Sequence, residues 1–286
     1  MLLINYIKEK EKEALKQNLE KEGIKKLLIE SCFKSYSNLI MNYNNEINSH
    51  YFNIVDPLIN RYIKNKEPIQ YILGYAYFYN LKLKVNKDVL IPRPETEILV
   101  QKALDEINKN HYKNVLDIGT GSGAIGIAIK KNADVLVTAV DISSGALNVA
   151  IENAKEYDLD IDFKLSDLFS SVYDKYDVIV SNPPYIDKSD INNIDEIVYL
   201  NEPHIALFSE DNGLYYYKEI INNLDNYLNK DGVAIMEIGY NQSEAINDYL
   251  NKQNKGYKID VIKDYNNLDR VVVIRKWIIW NYYFCF

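Results

Sequence analysis

Two short stretches hold residues whose types and spacing suit chemistry. The first is Asn182-Pro183-Pro184-Tyr185, which ends the β-branched run Val178-Ile179-Val180. Prolines carry no N–H for a sheet ladder, so a strand must stop there, and the first proline pushes Asn182 out of the helical region. The Asn182 amide then projects from the strand's carboxyl end. Its side-chain oxygen and the Pro183 carbonyl are two acceptors for the two N–H bonds of a planar –NH2 group, and Tyr185 offers a flat surface for stacking. An amide nitrogen is a poor nucleophile because its lone pair is delocalised. Holding it in a near-attack arrangement can supply roughly 7–11 kcal/mol of a barrier. A plain proline turn after a core strand is the alternative, and the tetrapeptide alone does not separate the two.

The second stretch is Asp117-Ile-Gly-Thr-Gly-Ser-Gly123. Gly121, Gly123 and Gly126 satisfy the spacing of a dinucleotide-binding loop, and Asp141 falls near the distance expected of a ribose-binding acid. Asp117, however, would repel a pyrophosphate and suits the ammonium end of S-adenosylmethionine. Gly119, Thr120, Gly121, Ser122 and Gly123 let the backbone approach a ligand, and the helix N-terminus that follows favours its carboxylate. Asp141 can accept both ribose hydroxyls. Asp167 and Leu168, within Ser166-Asp-Leu-Phe169, offer an acid for an adenine amino group and an apolar wall; Asp167 reads equally as a turn former. Taken in order, these segments point to methyl transfer onto a planar amine, whereas nicotinamide enzymes have no use for Asn-Pro-Pro-Tyr.

Such residues act together only if a scaffold brings them to one edge. From residue 114 onward strands and helices alternate, the pattern of a mostly parallel sheet with helices on both faces. Strands are predicted over 115–118, 135–140 (ending at Asp141), 161–165, 178–180, 233–238 and 257–261. Helices are predicted over 124–131, 143–157, 213–228 and 242–251. The run at 178 lacks alternation, as a strand buried on both faces should. Arg270-Val-Val-Val-Ile-Arg275 reads as the closing, antiparallel strand. In open α/β sheets ligands bind at the carboxyl ends of the strands, where both motifs fall.

Residues 1–66 read as helical, with Ala14, Leu15, Leu19, Ile24, Leu27 and Leu28 recurring at three- and four-residue spacings. Gly23 and Ser35 to Ser37 read as helix breaks, and Asp56-Pro57 as a restart or kink of a fourth helix. This segment is either a bundle that recognises a partner or a packing cap. Residues 67–91 read as a β-hairpin linker, in which Leu81, Leu83 and Val85 alternate with polar residues. In Ile91-Pro-Arg-Pro-Glu-Thr-Glu97 two prolines fix a turn ahead of a helix over 96–108. That turn is either a linker with a capping Thr96 or a rigid pocket rim carrying Arg93.

With 47% hydrophobic and 26% charged residues among 286, the balance is that of a globular chain with ample core. A net charge of −8 argues against a protein that grips nucleic acid, which needs basic surface. Cys32 and Cys285 suggest no disulfide framework and fit a reducing cytoplasm. His50, His111 and His204 show no ligand spacing, so no metal is expected. The N-terminus soon becomes strongly charged, unlike a signal peptide, and no apolar run approaches the roughly 20 residues that span a bilayer. The apolar tail Trp277 to Phe286 is expected to pack on the core or meet a partner.

In this order DIGTGSG, VDIS, SDLF and NPPY resemble the class I S-adenosylmethionine-dependent methyltransferases that act on planar amino groups. Ile91-Pro-Arg-Pro-Glu-Thr-Glu97, with Gln70-Tyr-Ile-Leu-Gly74, Glu202-Pro203 and Asp269-Arg-Val-Val-Val273, narrows the likeness to the release factor glutamine methyltransferases (HemK-type), over about residues 1–276. Ile238 stands where relatives often carry a histidine. The resemblance implies an α/β, Rossmann-like domain over 92–286 with a seven-stranded, mostly parallel sheet, and a substrate-recognition role for 1–66. It implies in-line methyl transfer from S-adenosylmethionine to the amide nitrogen (N5) of the glutamine in the Gly-Gly-Gln loop of peptide chain release factors. Asp117, Gly119 to Gly123, Asp141, Asp167, Leu168 and Asn182 would contact the cofactor. Asn182, Pro183, Pro184 and Tyr185 would hold the glutamine, and Arg93, Glu95 and Thr96 would shape the pocket. A cytoplasmic monomer is expected. Two neighbouring activities stay open. Amine methyltransferases of DNA or ribosomal RNA share the tetrapeptide but want a basic stripe that this chain lacks. Glutamine methyltransferases of a ribosomal protein carry serine-proline in place of Pro94-Glu95-Thr96.

Overall fold

The computed structural model describes residues 1–276, and the apolar stretch Trp277 to Phe286 lies outside the described residues. Chain contacts divide it into two units, one of Met1–Tyr75 with Ile194–Asn201, the other of Ala76–Asn193 with the chain from Glu202.

In the first unit the apolar spacing folds into α1 (Leu3–Lys16), α2 (Glu22–Leu28), α3 (Tyr36–Met41), α4 (Ser49–Asn65) and α5 (Ile69–Leu73). Ile7, Ile24, Leu27, Leu28, Leu39 and Ile59 are wholly buried against one another. Ser35 caps α3 by accepting from the Asn38 N–H at 3.2 Å. Three expectations need correcting. Gly23 is no break: it lies in the first turn of α2, where a Cβ would stand 2.7 Å from the Tyr62 ring. The helix α4 runs through Asp56-Pro57 without restarting. The linker starts as helix, because Pro68 sets the entry to α5 and the buried Tyr71 and Ile72 turn inward together before Gly74, at φ 80°, ends the turn. The short helix Glu196–Asn201 belongs to this unit. Lys66 pairs with Glu196, and Asn201 Nδ2 donates to the Lys66 carbonyl at 2.8 Å.

The second unit opens with the hairpin β1 (Tyr75–Phe78) and β2 (Leu81–Lys84), then α6 (Glu97–Asn110). The alternating segment follows: β3 (Asn114–Ile118), α7 (Ala124–Asn132), β4 (Leu136–Asp141), α8 (Ser144–Glu156), β5 (Asp162–Leu165) and β6 (Tyr176–Ser181). Past the two-residue β7 (Ile186–Asp187) comes the Glu196–Asn201 helix, α9, and then β8 (Phe208–Ser209). The chain finishes with α10 (Tyr215–Tyr227), β9 (Leu228–Glu237), α11 (Ser243–Gln253), β10 (Tyr257–Lys263) and β11 (Asp269–Lys276).

Seven strands form one sheet in the order β10-β11-β9-β6-β3-β4-β5. From β9 to β5 the neighbours are parallel, and β11 runs antiparallel to both β9 and β10. The missing alternation at 178 has its expected cause. Val178 and Val180 face a core shared with α6 and α7, while Ile179 faces another shared with α10 and α11. Strand order reverses between β3 and β6, and the crevice at their carboxyl ends is where open sheets hold ligands.

Candidate active site

The loop after β3 turns through Gly119, Gly121 and Gly123 at φ 70°, 56° and 83°, a region that L side chains resist. It is pinned to the end of β4. Gly119 and Thr120 N–H donate to the Val140 carbonyl at 2.9 and 3.0 Å, and Gly121 N–H to Asp141 Oδ2 at 2.8 Å. Nothing lies within 4 Å of where a Cβ on Gly119 or Gly121 would stand, so one side of the loop is open to a ligand. Asp141 Oδ1 accepts from Ser143 N–H at 2.9 Å. Burial raises the Asp141 pKa, and the amides of Ser143 and Gly121 pull it back. A carboxylate has about four acceptor sites, so capacity remains for hydroxyls.

Asp117 differs from its expected placing. It is wholly buried beneath the loop, where Oδ2 accepts from Thr120 Oγ1 at 2.6 Å and from Gly126 N–H at 3.0 Å. Its Oδ1 is buried with no hydrogen-bond partner. Burial raises its pKa to about 6 despite those two bonds, and the charge of Asp141 adds to the rise.

These elements border one open cavity, with about 140 Å³ of space accessible to a water-sized sphere. Gly119, Thr120, Gly121, Ser122 and Asp141 lie on one part of its wall, with Asp167 and Leu168 beyond them. Asn182, Pro183 and Pro184 lie on it too, as do Arg93 and Thr96. Asp117, Gly123, Glu95 and Tyr185 are not on the wall.

The tetrapeptide is held from behind. Asn182 Nδ2 donates to Thr96 Oγ1 at 3.2 Å, and Thr96 Oγ1 donates to Glu237 Oε2 at 2.6 Å. Tyr185, expected as a stacking surface, instead packs against the core under α10. Its hydroxyl donates to Glu237 Oε1 at 3.5 Å, and burial pushes its pKa well up. Gln242 Nε2 donates to the Tyr185 carbonyl at 3.0 Å. The rim is fixed by Glu202, which accepts from Arg93 at 2.5 Å and from Ile91 N–H at 3.1 Å. Among the described residues no group of three or more His, Cys, Asp or Glu could hold a metal, and no helix is long and apolar enough to cross a membrane.

Sequence reasoning missed Glu237, Gln242, Ile142 and Tyr216. Ile142 and Tyr216 line the cavity. Glu237 had a signal: like Asp141, it is an acid that ends a strand after an apolar run. Gln242 and Tyr216 had none, since each sits among ordinary helical residues.

Residues 95–201 match the family model described as the methyltransferase small domain. The chain is 46% identical over 209 residues to the release factor glutamine methyltransferase of Streptococcus pneumoniae, covering 73% of this chain and 75% of that one. It is 38% identical over 239 residues to the protein of the same name from Thermodesulfovibrio yellowstonii, covering 82% and 85%. Among solved structures, the hMettl16 catalytic domain matches with a TM-score of 0.56 over 70% of this chain and 77% of that one. At 15% identity that likeness is one of fold alone.

Proposed function

The chain belongs to the family of release factor glutamine methyltransferases, and on that premise we propose that it methylates the side-chain amide nitrogen of the glutamine in the Gly-Gly-Gln loop of peptide chain release factors. The methyl donor is S-adenosylmethionine, and the residues present fit it. The glycine loop is open on the cavity side, Asp141 retains acceptor capacity, and the unpartnered Asp117 Oδ1 places uncompensated acidity under the loop. Bound there, S-adenosylmethionine supplies an electrophilic methyl carbon on a cationic sulfur.

The chain's own residues bind and aim. Asp141 accepts ribose hydroxyls, and Asp167 with Leu168 receives the base. One observation carries the reading. Thr96 takes the amino end of the Asn182 amide, which leaves Asn182 Oδ1 as an acceptor on the wall of the cavity that the glycine loop also borders. That oxygen and the Pro183 carbonyl accept the two N–H bonds of the glutamine amide and direct its lone pair at the methyl. The C–N bond forms as the C–S bond breaks, and the surplus proton leaves nitrogen afterwards. Arg93 forms the rim; Glu95, exposed, acts through its charge. The helical unit recognises the body of the release factor. The enzyme works as a monomer in the cytoplasm, and its net charge of −8 supports the reading that it does not bind nucleic acid.

Asn182→Ala tests the assignment. Misplacing a reacting group can cost about 10²-fold in rate, so turnover on a release factor should fall by about that factor while calorimetry finds S-adenosylmethionine affinity retained. Parental turnover in the variant would contradict the assigned role.

A further inference from the structure

We propose that Glu237 is a positioning residue for methyl transfer: through the Thr96 hydroxyl it dictates which end of the Asn182 amide faces the substrate. The inference rests on the function just proposed and deepens it.

The reasoning starts from hydrogen counts. Thr96 Oγ1 carries one hydrogen and lies 2.6 Å from Glu237 Oε2 and 3.2 Å from Asn182 Nδ2. An ionised carboxylate has no hydrogen to give, so Thr96 must donate to it and turn a lone pair toward Asn182. A lone pair is satisfied only by the amino end of the amide. Oδ1, the end that accepts from a substrate –NH2, is thereby left for the cavity. A protonated Glu237 reverses this logic: it donates to Thr96, whose own hydrogen is released and is met by Asn182 Oδ1. The amide then turns over and presents donors to a substrate that itself only donates.

Glu237 ends β9 and is 2% exposed. The groups that face it come from four directions. Arg270 lies on β11, Glu95 in the turn before α6, Tyr185 after β6, and Tyr217 on α10 donates to the Glu237 carbonyl at 3.0 Å. Burial raises the Glu237 pKa to about 7; the Thr96 hydrogen bond and the Arg270 charge lower it, Glu95 raises it, and the Tyr185 bond lowers it. Arg270 cannot offset the burial fully because it pairs with Asp264 at 3.1 Å. The carboxyl therefore changes charge near neutral pH: mostly ionised above about pH 7, with Asn182 correctly turned, and mostly protonated below it.

Two readouts test this. A group titrating near 7 is about tenfold more ionised at pH 8 than at pH 6, so parental kcat on a release factor should rise about tenfold over that range while KM for S-adenosylmethionine changes by no more than about twofold. The 15N–1H signals of the Asn182 side-chain amide, assigned by their loss in Asn182→Ala, should shift over the same range in the protein without substrate. Glu237→Gln offers Thr96 an amide oxygen that does not titrate. It should flatten both curves and keep high-pH turnover within about threefold, a loss of under 1 kcal/mol. Should that variant not fold, Thr96→Val should likewise abolish the amide titration. Parental pH dependence surviving in Glu237→Gln, or Asn182 amide signals that do not move with pH, would overturn the proposal. Intact amide titration without turnover on any release factor would count against the assigned substrate and not against the positioning.

Discussion

Asp117 is the penultimate residue of β3 and Asp141 the last of the neighbouring β4, yet only Asp141 reaches the cavity wall. Position along the strand decides it: Asp117 pairs in register with Ala139, inside the sheet, whereas Asp141 lies past the last β3–β4 pair, Ile118 with Val140. Leu116 and Ile118 face the core under α10 and α11, so Asp117 turns to the opposite side, toward α7. There Gly126 makes room: a Cβ at that position would stand 3.0 Å from Asp117 Oδ2. The third glycine of the apparent dinucleotide spacing thus serves an acid and not a phosphate. A cationic ligand above the loop favours the ionised form of Asp117, whose pKa burial has raised to about 6. The sign follows directly. Binding must expel a proton below pH 6, so S-adenosylmethionine affinity should rise about tenfold between pH 5 and 7 and then level off. Asp117→Asn should flatten that dependence; calorimetry across the range is the check. Residue types were legible in the sequence at Asp117, Asp141 and Asn182. Which of them would reach the cavity was not, because register has no meaning until the strands are paired. Glu237 shows the same limit, since its role depends on Thr96, 141 positions away in the chain.

At the scale of elements, alternating strands and helices and the doubly buried run at 178 were readable, because local periodicity reports burial. The helix α5 was not: five residues are too few for a period, and its identity rests on Tyr71 and Ile72 finding a core. Nor was the departure of Ile194–Asn201 from the sheet-bearing unit. The loop after the tetrapeptide depends on one glycine that the sequence does not flag. Gly213 has φ +81°, and a Cβ there would stand 2.2 Å from the Tyr185 carbonyl. Gly213→Ala should therefore destabilise the second unit by about 1–3 kcal/mol and displace the Asn-Pro-Pro-Tyr turn. Denaturant unfolding measures the first effect and steady-state turnover the second. A folded variant with unchanged kcat would mean that the turn is not seated on Gly213.

Over the whole molecule, every residue assigned above to donor or glutamine lies in the sheet-bearing unit, and the helical unit has its own core. That division suits an enzyme whose reacting group is one side chain but whose substrate is a folded protein. The net charge of −8 and the absence of a basic stripe in the sequence favour a protein amide over a nucleic-acid base. The most direct measurement incubates the enzyme with isotopically labelled S-adenosylmethionine and a whole release factor, then maps the label by mass spectrometry. One methyl on the glutamine of the Gly-Gly-Gln loop is predicted, with a higher kcat/KM for the whole factor than for a short Gly-Gly-Gln peptide. Label on any other residue, or on ribosomal RNA and not on the release factor, would contradict the account.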